Sequence, residues 1–332
     1  MFGWAQNSYE LTDFFKRAEP GSNDHRVLES GKLDGYQIKG GAMRHLTGEW
    51  SVVANAGYVS KVPIYDAVIE DARGVVNEDP RNETFLSFEA GVRYRSSGRG
   101  LSFDVNGYHT TWRDRTYHLF VPNIDGQGND GLVNILGLEA RHAGVEAQGG
   151  WQPSRLVRFD AAASVGLWKY LNDVTGEYTT SPPLTTVSYS FNLKDLRVAD
   201  APQTQVAYSV SLFPIEDLLV QTVGRTYDRH YSEFNPVDWT RANDSAQSWR
   251  APGYTVFDLN ASYRLLNLIP AWRGGDVRLF AHVFNVLDAV YVQDAVDNSA
   301  FNGFPPLEHK ADDAEVFLGI PRTINMGFEL AF

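Results

Sequence analysis

Apolar residues fall on every second position of this chain, in stretches of about ten residues that recur from near its start to its end. The last stretch shows the pattern most clearly: Ile324, Met326, Phe328, Leu330 and Phe332 alternate with Thr323, Asn325, Gly327, Glu329 and Ala331. Successive side chains of a β-strand point to opposite faces, so such a segment has one oily face and one wet or small face. About ten residues is also the length a tilted strand needs to cross the hydrocarbon of a bilayer. The pattern therefore predicts an all-β protein, an antiparallel transmembrane β-barrel.

About eleven strands are legible by this two-residue template. The first is Tyr36, Ile38, Gly40 and Ala42, followed by Trp50, Val52, Ala54, Ala56 and Tyr58, then Leu86 to Tyr94 and Leu101 to Val105. Val145 to Trp151, Val157 to Leu167, Val206 to Leu212, Leu218 to Tyr227, Phe257 to Tyr263, Val277 to Val283 and the terminal stretch complete the set. The alternate positions carry Glu89, Arg93, Asp104, Asn106, Glu146, Gln148, Arg158, Asp160, Asp258, Asn260 and Arg278. A water-filled lumen hydrates such groups at mid-strand, whereas lipid cannot.

The connections carry a second signal. Short ones, at Leu46-Thr47-Gly48, Ser96-Ser97-Gly98, Gln152-Pro153-Ser154, Pro214-Ile215-Glu216 and Leu266 to Gly275, alternate with long polar ones over about 60–84, 113–137, 169–202, 228–253 and 286–320. Tight periplasmic turns and long extracellular loops give a barrel this alternation. The final strand follows a long loop, so it runs inward and ends on the periplasmic side. Trp50, Trp112, Trp151, Trp168, Tyr58, Tyr94 and Tyr263 stand near strand ends, where an interfacial girdle would place them.

Composition agrees. Aromatics make up 13% of the chain while mean hydropathy is only −0.30, as expected where only alternate residues meet lipid. A net charge of −12 argues against a nucleic-acid partner, whose phosphates call for a basic face. With no cysteine there is neither a disulfide framework nor a thiolate metal site. The first residues, Met1-Phe2-Gly3-Trp4-Ala5-Gln6-Asn7, hold no signal peptide; since a barrel protein must be exported, the expectation is a natural N-terminus upstream of Met1. Eleven strands are odd, and an open edge in lipid leaves backbone groups unpaired. The first and last strands both run inward on this reading, so partner strands are expected before residue 1.

No catalytic motif is present: neither G-x-S-x-G, nor a P-loop, nor H-E-x-x-H, and His109, His142 and His282 fall on different strands without a serine partner. The chain is not expected to be an enzyme or to carry a cofactor. No two histidines stand three or four residues apart, so His25, His45, His118, His230 and His309 predict no metal centre. The Asp125 to Gly131 run lacks the terminal carboxylate of a calcium loop, since residue 136 is Leu, and Asp312-Asp313 is a bare acidic pair. The densest mixture of aromatic and cationic groups runs from Tyr227 through Arg229, His230 and Tyr231 to Trp239 and Arg241. Rings stack on apolar faces and guanidinium pairs with carboxylates, so these six are the candidate contacts for a sugar or an anionic iron chelate.

Several segments resemble the TonB-dependent outer-membrane receptors. Val283-Phe284-Asn285-Val286-Leu287-Asp288 with Tyr291 looks like that family's penultimate strand and its exit, and Gly319-Ile320-Pro321-Arg322-Thr323 leads into what looks like its final strand. Asp200-Ala201-Pro202-Gln203-Thr204-Gln205, Trp249-Arg250-Ala251-Pro252-Gly253-Tyr254 and Gly57-Tyr58-Val59-Ser60-Lys61-Val62-Pro63 resemble further strand starts and ends of the family. The resemblance implies a barrel of 22 strands, with residues 1–332 as its C-terminal half and both the plug domain and the first barrel half absent. It implies a receptor in the bacterial outer membrane that imports a bulky, scarce solute such as a siderophore, cobalamin or an oligosaccharide. The implied partners are the TonB complex, acting through the plug segment, the lipid bilayer, and the outer-membrane assembly machinery, which would read the terminal Phe332. The rival readings are a passive porin of about twelve strands, with one strand before Tyr36, and a soluble all-β carbohydrate-binding protein.

Overall fold

The computed structural model describes residues 1–17, 22–70, 74–98, 100–121, 131–179, 186–234, 247–266, 276–297 and 314–331. Twelve strands form one continuous antiparallel wall in chain order. They are β1 (Phe2–Asn7), β2 (Leu33–His45), β3 (Trp50–Lys61), β4 (Glu83–Arg95), β5 (Leu101–Val121), β6 (Gly131–Trp151), β7 (Val157–Tyr170), β8 (Thr204–Leu212), β9 (Leu218–Asp228), β10 (Tyr254–Leu266), β11 (Asp276–Phe284) and β12 (Thr323–Ala331). The sheet is open: β1 pairs only with β2, and β12 only with β11, among the described residues.

Eleven of these strands follow the alternation in the sequence. The twelfth, β1, does not announce itself, because six residues ending in Gln6-Asn7 give too short an apolar run. Its register, Phe2 opposite Ile38 and Trp4 opposite Tyr36, puts its aromatic side chains on the apolar face. With β1 counted, the first and last strands run in opposite directions, which corrects the expectation that both run inward.

Register converts the period of two into two faces. Val52, Val92, Val105, Ala147, Ala163 and Val206 are consecutive cross-strand partners from β3 to β8, and Leu218, Tyr263, Leu279 and Phe328 continue the surface from β9 to β12. These side chains face outward without a protein cover: Val145, Val165, Ile324, Met326 and Phe328 are all exposed, Met326 by 74%. A water-soluble sheet would bury that face. No helix among the described residues is long and apolar enough to cross a membrane.

The other face is polar and internally paired. The Asp104 carboxylate accepts hydrogen bonds from Arg93 Nε at 2.9 Å, Arg95 Nη2 at 2.7 Å and Gln148 Nε2 at 3.2 Å. Further along, Asp258 pairs with Arg225, and His282 Nδ1 lies 2.7 Å from Asn260 Oδ1. Charges matched in this way can line a lumen without leaving an isolated ion beside the hydrocarbon.

Segments read as loops hold ordered structure. β5 and β6 continue as a paired ribbon to Val121 and from Gly131, and a hairpin of Val174–Thr179 and Thr186–Phe191 packs beside them. Val133, Ile135, Leu138, Ala140, Tyr170, Val174, Phe191, Leu193 and Leu196 form a buried cluster there. Gly137, at φ +76°, sits in a bulge between Ile135 and Leu138. That one irregular step moves the buried side of β6 from even positions (Leu138, Ala140) to odd ones (Ile135, Val133). The alternation that marks the rest of the strand is therefore broken at this point.

The remaining motifs are latches at strand ends. Asn285, at φ +49°, donates from Nδ2 to the carbonyls of Ala289 at 2.8 Å and Ile320 at 3.2 Å, while its Oδ1 accepts the Ala289 N–H at 2.9 Å. Asp288 Oδ1 accepts the Arg322 N–H at 2.9 Å. The exit of β11 is thereby tied to the start of β12. Gln203, 1% exposed, uses its amide as a substitute peptide against Trp168, its Oε1 accepting the Trp168 N–H at 3.0 Å and its Nε2 donating to the Trp168 carbonyl at 2.9 Å.

Candidate functional site

The polar face carries an aromatic row near the loop end of the wall. Phe85 on β4, Trp112 on β5, His142 on β6 and Trp168 on β7 follow one another with ring centroids 4.9, 6.5 and 5.6 Å apart. Their positions share parity with polar-face neighbours on the same strands, such as Asn106 beside Trp112 and Gln148 beside His142, which is why they face inward. Trp112 and Trp168 thus lie on the polar face rather than in the outer girdle the sequence suggested. Trp50, Tyr94 and Phe103 do make an aromatic cluster at the turn end, with centroids 4.9 to 5.5 Å apart.

Small residues make room for the row. Gly144 and Gly166 are cross-strand partners beneath Tyr108, whose hydroxyl accepts the Trp168 Nε1–H at 2.8 Å. A Cβ on Gly144 would sit 2.6 Å from that hydroxyl, and one on Gly166 would sit 2.5 Å from Trp168 Nε1. Arg115 caps the row, its guanidinium 4.6 Å from the Trp112 ring centroid, and donates to the Tyr170 hydroxyl at 3.2 Å. A cation over an indole face with flanking rings suits a planar or ring-bearing solute.

A second group is built by β9, β10 and the segment after β11. Tyr227 and Tyr254 are direct cross-strand partners with centroids 5.2 Å apart, and Tyr254 stacks on Tyr291 at 4.3 Å. Tyr227 also lines a cavity of about 310 Å³ with Asp104, Asn106, Glu146 and Gln205. Burial is the main cause that pushes the Asp200 carboxyl up to about 6, and the negative charges of Glu233 and Asp294 add to it. The His230 imidazole is shifted the other way: burial lowers it, against the opposing charge of Asp294.

The candidates named from sequence divide in the structure. Tyr227 faces the polar side. Arg229, at φ +53°, is a latch, donating from Nε to Thr204 Oγ1 at 2.7 Å and from Nη2 to the Gln203 carbonyl at 2.9 Å. Its neighbour Arg250 is held by Asp228 at 2.6 Å. His230 is buried, and Tyr231 is half-buried with its carbonyl accepting the Asp200 N–H at 3.3 Å. Of the guanidinium groups expected to meet an anionic solute, Arg229 is thus engaged within the protein. Trp239, Arg241, His309, the Asp125 to Asp130 run, Asp312-Asp313 and Phe332 lie outside the described residues. The aromatic row was missed from sequence, although parity counted forward from Asp104 would have found Trp112.

The decisive comparison is at family level. The family described as TonB dependent receptor-like, beta-barrel, matches residues 5–286. The chain belongs to the TonB-dependent receptor family. Solved structures agree on the fold: the copper transporter OprC is 16% identical with a TM-score of 0.60, over 99% of this chain and 44% of that one. The siderophore receptor PiuA from Acinetobacter baumannii is 13% identical with a TM-score of 0.59, over 99% and 40%. The ferric yersiniabactin uptake receptor FyuA from Yersinia pestis is 16% identical with a TM-score of 0.53, over 93% and 39%. This chain therefore spans less than half the length of each of these three proteins. No curated protein matches the sequence.

Proposed function

We propose that this chain is the C-terminal part of the barrel of an outer-membrane receptor that imports a bulky, scarce solute with energy drawn from the TonB complex. The observation that supports it is the combination of the family match with an open twelve-strand wall, oily outside and charge-matched inside. The solute's bond structure is left unchanged: the wall supplies a polar, aromatic-studded surface, and the remaining barrel strands and plug would come from sequence outside residues 1–332. Phe332 would serve the assembly machinery as the terminal aromatic. The ring row from Phe85 to Trp168 and the Tyr227–Tyr254–Tyr291 stack are the proposed solute contacts, offering faces for stacking. Siderophore, cobalamin and oligosaccharide remain the solute classes under test.

The experiment compares uptake of labelled ferric siderophores, cobalamin and oligosaccharides by cells expressing the receptor, with and without a working TonB complex. Accumulation of one solute that stops when TonB is removed supports the reading. A TonB-independent ion conductance in planar bilayers, with no energised uptake, would replace it with the porin.

A further inference from the structure

We infer that the loop-end rim holds a site for a borderline divalent cation of the zinc class, built on the His230 imidazole and the Asp294 carboxylate and completed by Glu233 and Asp200. His230 is 6% exposed, and neither of its ring nitrogens has a hydrogen-bond partner. Its Nε2 faces Asp294 Oδ1 at 3.5 Å, in a geometry that makes no hydrogen bond. A buried imidazole with both nitrogens unsatisfied is costly, because desolvation is not repaid. Two residues on, Ser232 is 1% exposed with its hydroxyl also unpartnered.

The carboxylates around it lack enough cation. Asp200, Glu233 and Asp294 come from three separate connections, after β7, β9 and β11: the Asp200 N–H donates to the Tyr231 carbonyl at 3.3 Å, next to His230, and Glu233 pairs in register with Val296 on the strand that carries Asp294. Among the described residues, the guanidinium that acts on Asp200 is that of Arg115, which is spent on Trp112 and the Tyr170 hydroxyl. Arg229 and Arg250 are turned to other partners. A divalent ion relieves the repulsion and satisfies the imidazole in one step. No three His, Asp or Glu side chains among the described residues already enclose a common point. The ion therefore meets the buried His230 imidazole and the facing, half-exposed Asp294 carboxylate, whose Oδ1 also accepts the Ala295 N–H at 2.9 Å, and draws in the exposed Glu233 and the partly desolvated Asp200. An imidazole nitrogen with carboxylate oxygens selects zinc-like ions over magnesium and calcium. Sequence spacing could not show this site, because its ligands come from three loops.

Bound there, the ion staples the three connections together. The site needs only the rim geometry and not transport, so binding is measured on purified receptor without TonB. Zn²⁺ titrated calorimetrically into chelator-treated receptor should bind one to one, and Co²⁺ should give visible absorption bands. His230→Gln and Asp294→Asn should weaken Zn²⁺ at least about tenfold and remove the Co²⁺ bands, and Zn²⁺ should slow proteolysis of the rim in the unaltered protein only. Exposed Glu233→Gln, which leaves the packing intact, should lower affinity several-fold and so keeps the test open if His230→Gln fails to fold. An unaltered protein with no saturable Zn²⁺ site, or variants that bind as tightly as it does, would overturn the inference.

Discussion

Moving a charge by one residue along β6 should separate the two faces of the wall energetically. Val145 is 53% exposed on the outer face, between Gly107 on β5 and Val165 on β7. Glu146, its neighbour, stands between Asn106 and Ser164 on the polar face and lines the inner cavity. An arginine on the lipid face costs about 2–4 kcal/mol near the bilayer midplane, whereas a lumenal substitution is nearly neutral. Val145→Arg should therefore reduce the folding equilibrium by about 30- to 700-fold at roughly 1.4 kcal/mol per tenfold. Glu146→Arg should stay within about 1 kcal/mol. Urea unfolding of the receptor in lipid vesicles, followed by tryptophan fluorescence, measures both. Equal costs at the two positions, or a larger cost at 146, would refute the assignment of faces.

Other consequences follow from named contacts. Asn285→Ala removes three hydrogen bonds and leaves a non-glycine residue at φ +49°, so a loss of about 2–4 kcal/mol in urea stability is expected. Asp258→Ala strands Arg225 and the Asn285 N–H; because Arg225 keeps 38% of its side chain in solvent, the expected loss is about 1–3 kcal/mol, below that of a fully buried pair. Asp200 has a folded-state pKa of about 6 against an ordinary 3.8, so the folded rim binds the extra proton. Its contribution is most favourable below pH 4 and is withdrawn as pH rises to about 6. Protection of the rim from proteolysis should fall across that window in metal-free receptor, and Asp200→Asn should flatten the profile.

The wall was legible because lipid and lumen impose opposite demands on neighbouring residues, which writes the strand period directly into the chain. Val145 to Trp151 could be assigned without any partner strand in view. Legibility failed wherever that contrast disappears. β1 is too short to establish a period, and the Val133 to Ala140 stretch is buried by a hairpin rather than by lipid, with its parity reversed at Gly137. The girdle reading erred at Trp112 and Trp168 because it used nearness to a strand end and ignored which face each position occupies. At the rim, Arg229 looked free for a ligand, but its left-handed backbone turns the side chain onto Thr204 and Gln203. A sequence records which groups are present there, and only the backbone decides where they point.

Residues 1–332 hold no cysteine, so single cysteines can be placed in this wall and spin-labelled without background from it, which makes the central claim directly measurable. A scan from residue 159 to 167 of β7, in the receptor reconstituted in bilayers, reports collision with oxygen dissolved in lipid and with a polar nickel chelate in water. Labels at Phe159, Ala161, Ala163, Val165 and Leu167 should favour oxygen, and those at Asp160, Ala162, Ser164 and Gly166 should favour the chelate. A profile without the period of two, or one with the same period and inverted phase, would contradict a membrane-spanning wall with its oily face outward.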